Sequence, residues 1–123
     1  MSPSPFDARF EELEGGIRTF TVCGELDMNT APELAQLLEE NVSGPEGAVM
    51  LDLTQCEFID STGIALIVRT WQQVDRDAGG EGSGRMVICC SNHQVLRLLK
   101  ITGVDSSISL YDGREAALAA LRD

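Results

Sequence analysis

Four consecutive residues carry most of the chemistry this sequence offers: Asp60, Ser61, Thr62 and Gly63, within "FIDSTGIALIVR" (58–69). They fall where an apolar strand gives way to a helical pattern. A helix start presents unpaired backbone N–H groups and about half a unit of positive charge. Two uses of the segment follow. In the first, Asp60, Ser61 and Thr62 are an over-supplied helix cap. In the second, Ser61 is a substrate: a phosphate there is favoured by the helix N-terminus and adds roughly −1.5 to −2 charge beside Asp60. An interface built over a neutral hydroxyl would then meet a desolvation and repulsion penalty of several kcal/mol, enough to switch binding off without refolding. Gly63 costs up to about 1 kcal/mol relative to Ala inside a helix, and reads as clearance around the hydroxyl for a partner. Local chemistry leaves both uses open.

Other chemistries fit less well. Asp27, Asp52 and Asp60 could accept a phosphoryl group or hold Mg²⁺, but such a site wants several oxygen ligands and a cation, and the single lysine, Lys100, belongs to a predicted helix. Asp52, inside a strand, is expected to accept backbone hydrogen bonds from a nearby loop. Ser61 and His93 both follow strands, yet the chain has no G-x-S-x-G elbow for a hydrolase; His93 reads as a first-turn helix residue. "AGGEGSGRM" (78–86) has the glycines of a phosphate loop but not its lysine, and precedes a strand instead of following one, so residues 78–84 read as a flexible loop. Cys23, Cys56, Cys89 and Cys90 form no C-x-x-C pair and have one histidine for company, which argues against a metal site. They are expected to be reduced and mostly buried; Cys56, just upstream of the acceptor segment, is the one for which exposure and a redox role stay open.

The elements that must position Ser61 follow from periodicity. Residues 1–5 read as a loose end, and "FDARFEELEGG" as an edge strand and turn. "IRTFTVCG" alternates, with Phe20 and Val22 on one face and Thr19, Thr21 and Cys23 on the other, which predicts a half-buried strand hairpinned to the first. "TAPELAQLLEENV" opens with Thr30 and has Glu33 three residues on, a capping-box pattern; Leu34, Leu37, Leu38 and Val42 share a face, and Gly44-Pro45 end the helix. "AVMLDL" (48–53) and "MVICC" (86–90) are continuously apolar, as parallel strands covered on both faces are. Between them a helix from Ser61 buries Ile64, Ile67, Val68, Trp71 and Val74. "NHQVLRLLKITG" is a helix with Val95, Leu98 and Leu99 inward, "SISLY" a short strand, and a last helix is capped by Asp112 with Glu115 opposite. The order β-β-α-β-α-β-α-β-α predicts a single α/β domain with a mixed, mainly parallel sheet of about five strands and about four helices. The strands at 48–53 and 86–90 should deliver their loops to one carboxyl edge.

Composition bounds the partners. The 123 residues suit one domain, and 43% hydrophobic residues are too many for a disordered chain. A net charge of −11, with eight arginines in no cluster, disfavours nucleic acid and anionic membranes; it suits a basic protein partner or simply solubility, and charge alone does not separate the two. No apolar run approaches the roughly 20 residues of a membrane span, and no basic-then-apolar leader opens the chain. The expected location is the cytoplasm.

Three segments carry a family likeness: "GELDMNTAPEL" (24–34), "VMLDLTQCEFIDSTGIALI" (49–67) and "VLRLLKITGVDSSISLYDGREAALAAL" (95–121). In them the whole chain, read as one domain over 1–123, resembles the STAS domain family, specifically bacterial anti-sigma factor antagonists. The resemblance implies a protein that is not an enzyme and needs no cofactor. Unphosphorylated, it would bind an anti-sigma factor and free a sigma factor. The anti-sigma factor, itself a serine kinase that supplies the ATP, would phosphorylate Ser61 and end binding; a serine phosphatase would restore it. Asp27, Asp60, Thr62 and Gly63 match the surroundings of the acceptor and the partner surface. Many relatives read G-L-G after the acceptor, where this chain has Gly63-Ile64-Ala65. An alternative within the same family is a non-switching subunit of a lipid transporter or a stress-signalling assembly. A nucleotide-binding domain, a third reading, lacks its phosphate loop.

Overall fold

In a computed structural model, residues 5–42 and 47–122 are described. The expected Gly44-Pro45 helix stop and most of the loose N-terminal end lie outside them.

Strand β1 (Asp7–Leu13) turns back antiparallel onto β2 (Ile17–Leu26). Then follow α1 (Ala31–Asn41), β3 (Ala48–Ile59), α2 (Ser61–Asp77), β4 (Met86–Cys89), α3 (His93–Ile101), a short 3₁₀ turn at Val104–Ser106, β5 (Ser109–Tyr111) and α4 (Arg114–Arg122). The sheet order is β1-β2-β3-β4-β5, with every pair after the first parallel. The fold is the mixed five-stranded α/β domain with four helices that the sequence predicts.

Each parallel strand lies beside its predecessor, always to the same side. Right-handed crossovers then put their connecting helices on one face. There α1, α2 and α3 cover a core that includes Phe20, Val22, Leu26, Leu34, Leu51, Leu53, Ile67, Ile88 and Leu99, all at most 2% exposed. The other face has one helix, α4, whose Ala117 and Leu121 cover Ile17, Ala48, Met50, Val87 and Cys89.

Several local expectations change. The third strand runs past Leu53 to Ile59, carried by two register shifts against β2, between Thr21 and Cys23 and between Gly24 and Glu25. Gly24 supplies a φ of +86° at the second, a conformation that a Cβ disfavours. On α2, Val68 is 36% exposed, while Leu66 and Thr70 face inward with Ile64 and Ile67. Val68 stands at the margin of the buried stripe, whose edge spacing alone does not fix. Leu98 is half-buried where Leu99 is fully so. The last helix starts at Arg114, one residue later than a cap at Asp112 requires, so Gly113 takes the cap position. The 78–84 loop is tied down: Asp75 accepts the N–H of Gly80 on its carbonyl and those of Gly82 and Gly84 on its carboxylate.

Candidate functional site

The carboxyl ends of β2 and β3 lie side by side, Leu26 opposite Ile59. The loop to α1 leaves from one and the start of α2 from the other, and Asp60 N–H donates to the Leu26 carbonyl at 3.2 Å. The long β3 is what brings the D-S-T-G segment level with G-E-L-D.

Asp60 is the cap of α2. Its backbone is extended, and Oδ1 accepts the N–H groups of Thr62 at 2.9 Å and Gly63 at 3.1 Å. Its Oδ2 accepts the N–H of Met28, 3.2 Å away in the β2–α1 loop. A single carboxylate thus satisfies the helix start and staples it to the neighbouring loop. Ser61 follows as the first helical residue, with Thr62 next; both are exposed. With the cap met by Asp60, the Ser61 hydroxyl is not required to hold the helix. Ala65, one turn on, is exposed on the same side.

Gly63 is buried, and its reason lies inside the domain. A Cβ there would stand 2.7 Å from Ile59 Cγ1, 3.0 Å from Leu26 Cγ and 3.1 Å from the Leu26 carbonyl oxygen. The missing side chain lets α2 press against the ends of β2 and β3; the expected clearance toward a partner is instead closeness to the strands.

Asp27 organises the other loop. Its Oδ1 accepts the N–H groups of Asn29 and Thr30 at 2.9 and 3.1 Å, and its carbonyl accepts that of Ala31. The capping box expected from Thr30 and Glu33 does not form. The Thr30 hydroxyl turns back, donating to the Glu25 carbonyl at 2.7 Å and accepting from Asp27 N–H at 2.9 Å. The competing acceptor is a backbone carbonyl that periodicity does not reveal. Asp27, Asp60, Ser61, Thr62 and Gly63 are therefore brought together on one edge.

Asp52 lies elsewhere, on the α4 face. Its side chain is 4% exposed and accepts from Thr54 N–H and Oγ1 and from Arg114 Nε at 2.7 Å. Arg114 also reaches Thr21 Oγ1 and Glu11. Burial alone would raise the Asp52 pKa, but the two Thr54 bonds and Arg114 outweigh it and hold the carboxyl below its ordinary range. Both oxygens are taken, one of them by a side chain from α4 that the sequence reading did not foresee. A phosphoryl acceptor would need an accessible carboxylate.

His93 opens α3 behind an Asn92 cap, whose side chain accepts from Gln94 and Val95 N–H. Cys56, whose exposure its position left open, is 1% exposed and belongs to the core under the helices, as the expectation of buried thiols has it; burial pushes its thiol up to about 11 and that of Cys89 to about 12. A buried thiol with so little thiolate does not suit redox exchange. All four cysteines are free, and among the described residues no three His, Cys, Asp or Glu side chains are placed to hold a metal ion. No described helix is long and apolar enough to cross a membrane.

Comparison with known proteins places the chain in a family. The STAS domain model matches residues 12–117. An anti-sigma F factor antagonist of Paenibacillus polymyxa is 28% identical over 89% of this chain and 91% of its own length. An anti-sigma-B factor antagonist of Listeria monocytogenes is 30% identical over 72% of this chain and 74% of its own. Among solved structures, an anti-sigma factor antagonist from Mycobacterium paratuberculosis is 27% identical, covers 97% of this chain and 96% of its own, and superposes with a TM-score of 0.83. The fold of unphosphorylated SpoIIAA, an anti-sigma factor antagonist, also matches, with a TM-score of 0.71 at 17% identity over 94% of this chain and 98% of its own. Sequence and architecture agree, and the chain belongs to the STAS domain family, in the company of anti-sigma factor antagonists.

Proposed function

We propose that this chain is an anti-sigma factor antagonist working as a phosphorylation-switched binding module in the cytoplasm. The supporting observation is the exposed Ser61 hydroxyl on a helix start whose capping is already done by Asp60. Unmodified, the edge formed by Asp27, Asp60, Thr62 and the turn at Gly63 binds an anti-sigma factor and releases its sigma factor. The same partner is a serine kinase that brings its own ATP and transfers phosphate to Ser61; a serine phosphatase reverses the step. This chain contributes a surface and an acceptor and performs no catalysis itself.

Asp60 explains the direction of the switch. It already accepts from Thr62 and Gly63 N–H, so those groups are not free to neutralise a phosphate on Ser61. The added roughly −2 charge stays beside a carboxylate and turned outward. A partner that desolvates this edge then faces like charges, a penalty of several kcal/mol. Asp27 and Asp60 draw a basic partner while Ser61 is bare, and overload the same surface once it is phosphorylated.

The test is a pull-down from cell extract with three baits. Ser61→Ala is expected to capture an anti-sigma factor as wild type does and to stay unphosphorylated with ATP, whereas Ser61→Asp should lose it. Retention by Ser61→Asp at wild-type strength sinks the switch and favours a constitutive subunit of a larger assembly.

A further inference from the structure

Two of the large apolar side chains left in water stand at the edge that carries Ser61. Met28, in the β2–α1 loop, is 66% exposed, and Phe58, two residues before Asp60, is 38% exposed. Single exposed apolar residues are ordinary, but these two share the edge with Glu25, Asp27 and Asp60. Exposed apolar side chains interspersed with charge along one edge suit a protein interface.

Met28 is held in place, since its N–H donates to Asp60 Oδ2 while Oδ1 of the same carboxylate holds the start of α2. Phe58 precedes the buried Ile59, so strand alternation turns it toward the α4 face. There Arg114 grips Asp52 and Thr21 from the start of α4, and Phe58, six residues beyond Asp52 on β3, stays 38% exposed. Across the ladder its partner is Glu25.

We infer that Met28 and Phe58 are the apolar anchors by which this chain grips the protein that reads Ser61, and that Asp60 is the positioning residue holding Met28 in register with the acceptor. The inference rests on the switched-binding reading above and names what the anti-sigma factor must offer: an apolar socket bordered by Arg or Lys, matching Glu25, Asp27 and Asp60. It also gives the phosphate a second effect. A phosphate on Ser61 repels the neighbouring Asp60 carboxylate, which loosens the hold of its Oδ2 on Met28 N–H. Charge and anchor are lost together.

Calorimetry of the unphosphorylated full chain against the anti-sigma factor recovered with Ser61→Ala tests this. Met28→Ala and Phe58→Ala should each weaken binding about tenfold or more with Tm unchanged, as truncated central anchors do. Ile101→Ala is the control, since Ile101 is 68% exposed at the end of α3, which runs back toward the opposite edge of the sheet. Its affinity should stay within about twofold of wild type. Asp60→Asn retains one acceptor oxygen for the helix but turns an amide NH₂ toward Met28. In that background Met28→Ala should cost less than in the wild type, a coupling that a merely structural Asp60 would not show. Wild-type affinity in both truncations, or an equal loss in Ile101→Ala, overturns the anchors; if Ser61→Asp still abolishes binding, the switch survives their failure. Wild-type binding by Ser61→Asp overturns the switch instead.

Discussion

Gly63 is the residue at which local and tertiary demands part most clearly. Helix propensity favours Ala there by up to about 1 kcal/mol. The contacts a Cβ would make with Ile59 and Leu26, at 2.7 to 3.1 Å, oppose it, and overpacking of that kind costs roughly 1–3 kcal/mol. The second effect wins, because Ile59 and the Leu26 backbone are fixed in the sheet. We expect Gly63→Ala to lose about 1–2 kcal/mol in urea unfolding; unchanged or increased stability would show that α2 can move off the strands. The cap, the exposed serine beside it and the glycine were all legible in four letters, because capping is local chemistry. What the glycine touches was not, since Leu26 comes from another strand. Thr30 misled for the same reason, since the Glu25 carbonyl that draws its hydroxyl is set by the fold; the burial of Cys56, left open by its position, is decided there too.

Among the elements, α4 depends most on a single side chain. Arg114 at its first turn pins it to β3 through Asp52 and to β2 through Thr21. Removing one partner of a buried pair costs roughly 3–5 kcal/mol; with Arg114 about a third exposed, Arg114→Ala should cost about 2–3 kcal/mol. The Asp52 carboxyl is held below its unfolded value of about 3.9, so its contribution is complete above that pH and is lost as pH falls through the folded value. Urea midpoints at pH 7 and pH 3 should therefore fall more steeply for wild type than for Asp52→Asn, which starts lower; parallel declines would assign the acid sensitivity elsewhere. Element order and type were readable from the alternation of apolar runs and helical stripes. The far half of β3 was not, because bulges break the two-residue period that identifies a strand. Arg114 went unnoticed because an arginine in a first helical turn looks like solvated surface until the sheet is folded beneath it.

For the molecule as a whole, charge and layering decide behaviour. A net charge of −11 and an edge bearing Asp27 and Asp60 should speed encounter with a basic partner. Raising salt from about 50 to 500 mM, which shortens the screening length several-fold, should lower the association rate at least about tenfold and change dissociation much less; stopped-flow mixing separates the two, and a salt-independent association rate would leave the acidity a matter of solubility. The mixed sheet was legible as a whole, since strand-helix alternation with right-handed crossovers permits few arrangements. The uneven covering, three helices on one face and one on the other, has a consequence for birth as well as function. The face lined by Ile17, Ala48, Met50, Val87 and Cys89 waits for Ala117 and Leu121. During synthesis every strand leaves the ribosome before the helix that shields this face, so the nascent domain carries an oily, unshielded flank until Arg114–Arg122 have emerged, and only then can it close.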